Sequence, residues 1–112
     1  MKKNKPIYKI DKHGNKRWFL NRNLHREDGP AYEDVNGDKI WYLHGLCHRE
    51  DGPAVEYNDG TKYWLLHGQY HRLDGPAVEL ANGHKSWYYN NMFINCSSQE
   101  EFERLIKLKA LW

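Results

Sequence analysis

The chain has 112 residues, the length of one domain. Its apolar fraction of 39% is low and its aromatic fraction of 14% is high, so the core is thin and built from large rings. A formal net charge of +2 does not by itself mark a nucleic-acid binder, and no apolar run approaches the roughly 20 residues of a membrane span.

The N-terminal end is the most charged part. Residues 1–17 hold seven Lys/Arg against one acid, a balance of +6, while the rest holds ten against fourteen, a balance of −4. Residues 1–7 read as a basic arm that could touch phosphates or an acidic partner. Its plain reading is a solvated end. Met1-Lys2-Lys3-Asn4-Lys5-Pro6 lacks the apolar stretch of a signal peptide, so the chain is expected in the cytoplasm. Cys47 and Cys96 are expected to stay reduced there, with Cys47 as a buried small hydrophobe.

From Tyr8 onward the chain repeats itself. His-Arg-x-Asp-Gly-Pro-Ala starts at His25, His48 and His71, always 23 residues apart. Gly14, Gly37, Gly60 and Gly83 keep the same step. Each is followed two residues later by Lys16, Lys39, Lys62 or Lys85, and two residues after that by Trp18, Trp41, Trp64 or Trp87. A fixed period of this size marks a repeat architecture. About three and a half units fit into residues 8–95. The first is degenerate at Tyr8-Lys9-Ile10, and the fourth has Ile94-Asn95 in place of His-Arg.

One unit runs from Pro53 to Gly75. Ala54-Val55-Glu56-Tyr57 is a short strand opened by Pro53, where a missing N–H is tolerated. Asn58-Asp59-Gly60 is a turn whose glycine supplies positive φ. Thr61-Lys62-Tyr63-Trp64-Leu65-Leu66 is a second strand, rich in β-formers. His67-Gly68 breaks it, and Tyr70 to Gly75 links to the next Pro76. The predicted fold is mainly β: tandem hairpins forming one twisted antiparallel sheet. Alternation puts Lys62, Trp64 and Leu66 on one side and Tyr63, Leu65 and His67 on the other. Both sides are partly apolar, so something covers the second side or it is a binding surface.

The C-terminus supplies a cap. Ser98-Gln99-Glu100-Glu101 has capping-box spacing. Acids start the segment and Lys107 and Lys109 end it, in line with the helix dipole. Phe102, Leu105 and Ile106 make an apolar stripe, extended by Leu108, Leu111 and Trp112. Residues 98–110 are predicted as an amphipathic helix that closes the end of the sheet, all within a single domain spanning 1–112.

The period, with Gly68-x-x-His71, the turn Gly83 and a following aromatic, resembles MORN repeats. The chain departs from them in having His-Arg-x-Asp-Gly-Pro-Ala where MORN units have His-Gly-x-Gly. It looks more like a divergent set in tailed-phage and large-virus proteins, whose hallmark is Leu-His-Arg-Glu-Asp-Gly-Pro-Ala, here Leu24 to Ala31. The resemblance covers residues 8–95. It implies a β-hairpin array and an accessory protein of host takeover, with no particular activity. MORN proteins in general are scaffolds that bind proteins or lipid headgroups.

The eye-catching polar residues come in threes. His25, Arg26 and Asp28 recur as His48, Arg49, Asp51 and as His71, Arg72, Asp74. Three near-identical copies argue against catalysis, because an active site is one constellation. The plain reading is a ladder: Arg26, Arg49 and Arg72 pair with carboxylates, Asp28, Asp51 and Asp74 accept turn N–H groups, and the histidines pack on neighbouring rings. The other reading makes these rows a phosphate or nucleotide site. His44-x3-His48 and His67-x3-His71 have metal-ligand spacing, but Gly45 and Gly68 place them on turns and no third or fourth ligand follows. No metal or cofactor is expected, and no P-loop or nucleophile elbow occurs. Trp18, Trp41, Trp64 and Trp87 are expected as structural core, with Gly37, Gly60 and Gly83 as turn residues. Tyr42, Tyr63, Tyr88 and Tyr89, with the His and Arg rows, are the candidate binding residues. The expected function is non-enzymatic binding of a host or viral protein through a sheet face. Homo-oligomers through an open edge are a further expectation, and nucleic acid is disfavoured by the acidic body.

Overall fold

The computed structural model describes residues 5–109. Along the chain the strands are β1 (Ile7–Ile10), β2 (Lys16–Leu20), β3 (Asn23–Leu24), β4 (Tyr32–Glu33), β5 (Lys39–Ile40), β6 (Tyr42–Leu43) and β7 (Leu46–Cys47). Then come β8 (Val55–Glu56), β9 (Lys62–Tyr63), β10 (Leu65–Leu66), β11 (Gln69–Tyr70), β12 (Val78–Glu79), β13 (Lys85–Tyr89) and β14 (Met92–Ile94), followed by one helix, α1 (Gln99–Lys109). All strand pairs are antiparallel. The molecule is a slab of 47 × 39 × 17 Å, thin because a sheet layer makes up most of it. Among the described residues, no helix is long and apolar enough to cross a membrane.

The expectation of a single sheet is corrected. A ten-stranded sheet runs β1-β2-β4-β5-β8-β9-β12-β13-β14, with β3 beside β2, and β6-β7 and β10-β11 are separate two-stranded ladders. The cause lies at Trp41 and Trp64. The Trp41 N–H donates to the Ala54 carbonyl, while its own carbonyl accepts from the His48 N–H. Trp64 does the same with Ala77 and His71. The strand therefore changes partner at the tryptophan. Before it, the strand pairs with β4 or β8 of its own unit and with β8 or β12 of the next; after it, the strand pairs with β7 or β11.

That second pairing corrects the reading of His67-Gly68 as a break and of residues 70–75 as a mere link. Leu66 faces Gln69 across a two-residue turn, and Leu43 faces Leu46 likewise. His44 and Gly45 have φ of 49° and 82°, and His67 and Gly68 have 50° and 78°. Two consecutive positive φ values are the type I′ geometry that suits the right-handed strand twist. Asn21-Arg22 and Asn90-Asn91 do the same. The other turns follow the prediction: Gly37, Gly60 and Gly83 sit at φ of 96°, 97° and 91°. Neighbouring turns are tied by side chains: Asn15, Asp38 and Thr61 accept from the N–H groups of Val35, Asn58 and Ala81.

α1 starts close to the predicted position. The Glu101 N–H donates to Ser98 Oγ, and Glu101 Oε1 accepts from the Ser97 N–H. The predicted end at residue 110, and Leu111 and Trp112 of the predicted stripe, lie outside the described residues, as does most of the basic arm, residues 1–4. Phe102 is fully buried against Trp87 and Ile94, with Tyr89, Cys96, Leu105 and Ile106 around them. A second small core holds Ala54, Val55 and Leu65, flanked by Ile40, Cys47, Tyr63 and Tyr70. Both thiols are free, and they sit in different clusters.

Candidate interaction faces

Pleating gives the slab two chemically distinct sides. Registered pairs run Lys16–Glu33–Lys39–Glu56–Lys62–Glu79–Lys85 across one side. Opposite charges directly across a ladder stabilise it. The tryptophans share this side, hereafter the Trp side. The other side, the Tyr side, carries Arg17–Tyr32–Ile40–Val55–Tyr63–Val78–Ser86 at the matching positions.

On the Trp side, each arginine of the His-Arg-x-Asp segment does several things at once. Arg26, Arg49 and Arg72 lie 3.9, 3.9 and 3.8 Å above the rings of Trp18, Trp41 and Trp64. Their Nε groups donate to Asp28, Asp51 and Asp74 at 2.9, 3.0 and 2.9 Å. Their Nη1 groups donate to the carbonyls of Pro30, Pro53 and Pro76. Arg49 and Arg72 also reach Glu56 and Glu79, at 3.3 and 2.8 Å. Behind each guanidinium is a glycine. A Cβ on Gly29, Gly52 or Gly75 would stand 2.9, 2.9 or 2.6 Å from the arginine Cζ. The glycine is there for close approach, and no side chain could replace it without moving the guanidinium.

The tryptophans, expected as core, fall into two kinds. Trp87 is buried, beneath α1. Trp18, Trp41 and Trp64 are half-buried, with arginine as their cover. At the fourth position no arginine exists, and Gln99 takes over: it accepts from Trp87 Nε1 at 2.8 Å and donates to the Leu73 carbonyl. Asp28, Asp51 and Asp74 accept from arginine rather than from turn N–H groups. Their side chains remain 87, 88 and 87% exposed. Between the second and third segments lies an open groove of about 530 Å³ lined by Arg49, Asp51, Trp64, His71, Arg72 and Asp74.

The histidines are turn anchors. Nδ1 of His25, His48 and His71 accepts from the N–H of His44, His67 and Asn90, at 2.9 Å in each case. His25 and His48 are buried, and their rings lie 4.3 Å from those of His44 and His67. His71 packs 5.2 Å from Tyr89, and burial lowers its pKa from the ordinary 6.5. His44 and His48 thus stack on different partners. Among the described residues, no group of three or more His, Cys, Asp or Glu converges on a metal-sized point.

The Tyr side gathers a row of rings that the sequence reading found only in part. Tyr57–Tyr63, Tyr63–Tyr70, Tyr70–Tyr88 and Tyr88–Phe93 have centroids 5.9, 5.9, 5.0 and 5.7 Å apart. Tyr42 stands beside Cys47, and burial with that thiol pushes its pKa up to about 12. Tyr57 and Tyr70 are also raised, mainly by burial. Of the four predicted tyrosines, Tyr63 and Tyr88 belong to this row and Tyr42 to the same side. Tyr89 is on the opposite side, packed against the helix cluster. Tyr57, Tyr70 and Phe93 were missed, although alternation from Val55 leads to Tyr57. α1 packs on the Trp side, and Tyr57 and Phe93 are 38 and 56% exposed.

No protein-family model matches this chain, and neither a curated protein nor a solved structure matches it.

Proposed function

We propose that this chain is a non-enzymatic binding module that engages a protein partner through its Tyr side. One observation carries the reading. The helix covers the end of the Trp side, and on the Tyr side the two ends of the ring row, Tyr57 and Phe93, remain 38 and 56% exposed. Tyrosine gives large contact area with few rotatable bonds and a polar tip, which suits protein recognition. The MORN-like resemblance of the 23-residue units supports a scaffold role. Its phage-type form supports an accessory protein that binds and inhibits or redirects a host defence protein in the host cytoplasm. That context is analogy.

The competing idea, a phosphate or nucleotide site on the His-Arg-x-Asp rows, is disfavoured by the occupancy of the arginines. Nε and Nη1 of each already donate to protein oxygens, and carboxylates lie beside them.

The test uses purified chain as bait in bacterial lysate, with Phe93→Asp and Lys62→Glu as paired variants on opposite sides of the sheet. A stoichiometric complex on size exclusion, lost with Phe93→Asp and kept with Lys62→Glu, supports the reading. Loss with Lys62→Glu alone, or no partner at micromolar bait, refutes it.

A further inference from the structure

β1 is the outermost strand of the ten-stranded sheet, and all four of its residues are exposed. Ile7, Tyr8 and Ile10 are 61, 49 and 57% exposed, a long apolar edge of the kind proteins normally blunt. Its inner side pairs with β2, Tyr8 opposite Trp18 and Ile10 opposite Lys16.

The hydrogen-bond parity of that pair can be read off its neighbours. The Asp11 N–H bonds to the Asn15 carbonyl. Trp18 sends its N–H to Ala31 and receives His25 at its carbonyl, both away from β1. Tyr8–Trp18 and Ile10–Lys16 are therefore the non-hydrogen-bonded pairs of the ladder. The N–H and C=O groups of Tyr8 and Ile10 consequently point outward from the sheet.

The same chain positions are filled elsewhere. Tyr8–Ile10 stands 23 residues before Ala31–Glu33, and β4, β8 and β12 are each paired on both sides. In those units the Ala31, Ala54 and Ala77 carbonyls accept from Trp18, Trp41 and Trp64 at 2.9, 2.7 and 2.8 Å. The Tyr8 carbonyl is the corresponding acceptor, and among the described residues the strand order places no strand beyond it.

Charge selects the occupant. Interior strands at this position carry Glu33, Glu56 or Glu79, which face lysines. β1 instead has Ile10 there and Lys9 beside it, between exposed Lys5 and Lys12. Asp11, at the end of β1, is held by the Asn15 and His13 N–H groups and by Arg17 at 3.0 Å, which keep its carboxyl well below the usual range, while Glu27 and Asp28 share a groove with Lys5 and leave Lys9 and Lys12 as the cations of the edge. A second copy of this strand would bring the same lysines against themselves. We propose that the outer edge of β1 takes an extended acidic peptide as an added antiparallel strand. Tyr8 and Ile10 supply the backbone bonds, and Lys9 faces an acidic side chain across the new ladder. This edge is separate from the Tyr row, so the two readings fail independently.

The probe is a fluorescein-labelled synthetic peptide of alternating Glu and Val, titrated by anisotropy at low salt, with a Lys-Val peptide as control. The Glu-Val peptide binds and the Lys-Val peptide does not. Lys9→Glu and, separately, Tyr8→Pro each weaken binding about tenfold or more, while Phe93→Asp leaves it unchanged. Proline at Tyr8 removes an outward N–H and leaves the β2 ladder bonds in place. Amide exchange on the unmodified chain gives a second readout: the peptide slows exchange at Tyr8 and Ile10. Equal binding of both peptides, unchanged exchange at these amides, or self-association of the chain dispersed by Tyr8→Pro each overturns the proposal.

Discussion

The guanidinium of Arg49 lies 3.9 Å above the ring of Trp41, with Gly52 behind it. A cation held between an indole and a bare backbone, with Asp51, Pro53 and Glu56 accepting its hydrogen bonds, is a structural joint. Arg49→Ala removes a cation–π contact and several charge-assisted hydrogen bonds. We expect a loss of about 2 kcal/mol, read from urea unfolding. Arg49→Lys recovers less than half, because an ammonium lacks the planar fork. If Arg49→Ala leaves the unfolding midpoint in place and abolishes a phosphate-induced thermal shift, the rows are a ligand site.

Gly75 sits tighter against its arginine than Gly52 does, at 2.6 against 2.9 Å for an added Cβ. Gly75→Ala should push the Arg72 guanidinium off Trp64 and cost about 1–2 kcal/mol. In the Arg72→Ala background the same change should cost much less. A double-mutant cycle measures this coupling, and strict additivity would contradict it.

Phe102 is fully buried and closes the cluster over Trp87 and Ile94. Phe102→Ala should cost about 3–4 kcal/mol and loosen α1. Tryptophan fluorescence should shift to the red as Trp87 meets water. Gln99→Ala should have a smaller effect, about 1 kcal/mol, by leaving Trp87 Nε1 unpaired.

Acid should weaken the turn at Asn90. His71 Nδ1 accepts the Asn90 N–H, so the folded chain prefers the neutral ring, and burial lowers the folded pKa below 6.5. The unfolded state then binds the proton more readily. The contribution is present above 6.5 and is lost as pH falls from there through the lower folded value. Urea midpoints at about pH 7.5 and about pH 5 should differ by less in His71→Gln than in the parent chain.

Much of the local structure was legible because its causes are local. The Gly60 turn follows from Asn58-Asp59-Gly60, and the start of α1 from Ser98 and Glu101. The hairpins at His44-Gly45 and His67-Gly68 were missed because His-Gly is not the Asn-Gly or Asp-Gly pair that signals a type I′ turn. A signal was present: Asn21-Arg22 and Asn90-Asn91 keep the same 23-residue step, and asparagine tolerates that region. The stacking of Arg49 on Trp41 was hidden for another reason. The residues are eight apart and meet only once the second hairpin folds the chain back.

By itself, the sequence determined the 23-residue step, the β character, the turn glycines and the capping helix, since each rests on short-range spacing and propensity. Only the tertiary structure decided which side of the slab stays open. α1 could lie on either apolar side of the last strands. It lies over Trp87 because Ile94, Tyr89 and Cys96 complete one cavity for Phe102, and Gln99 satisfies the indole N–H. That choice leaves Phe93, on the Tyr side of the same strands, 56% exposed. Likewise, the outward backbone groups of Tyr8 and Ile10 follow from the β1–β2 register, which composition alone does not encode.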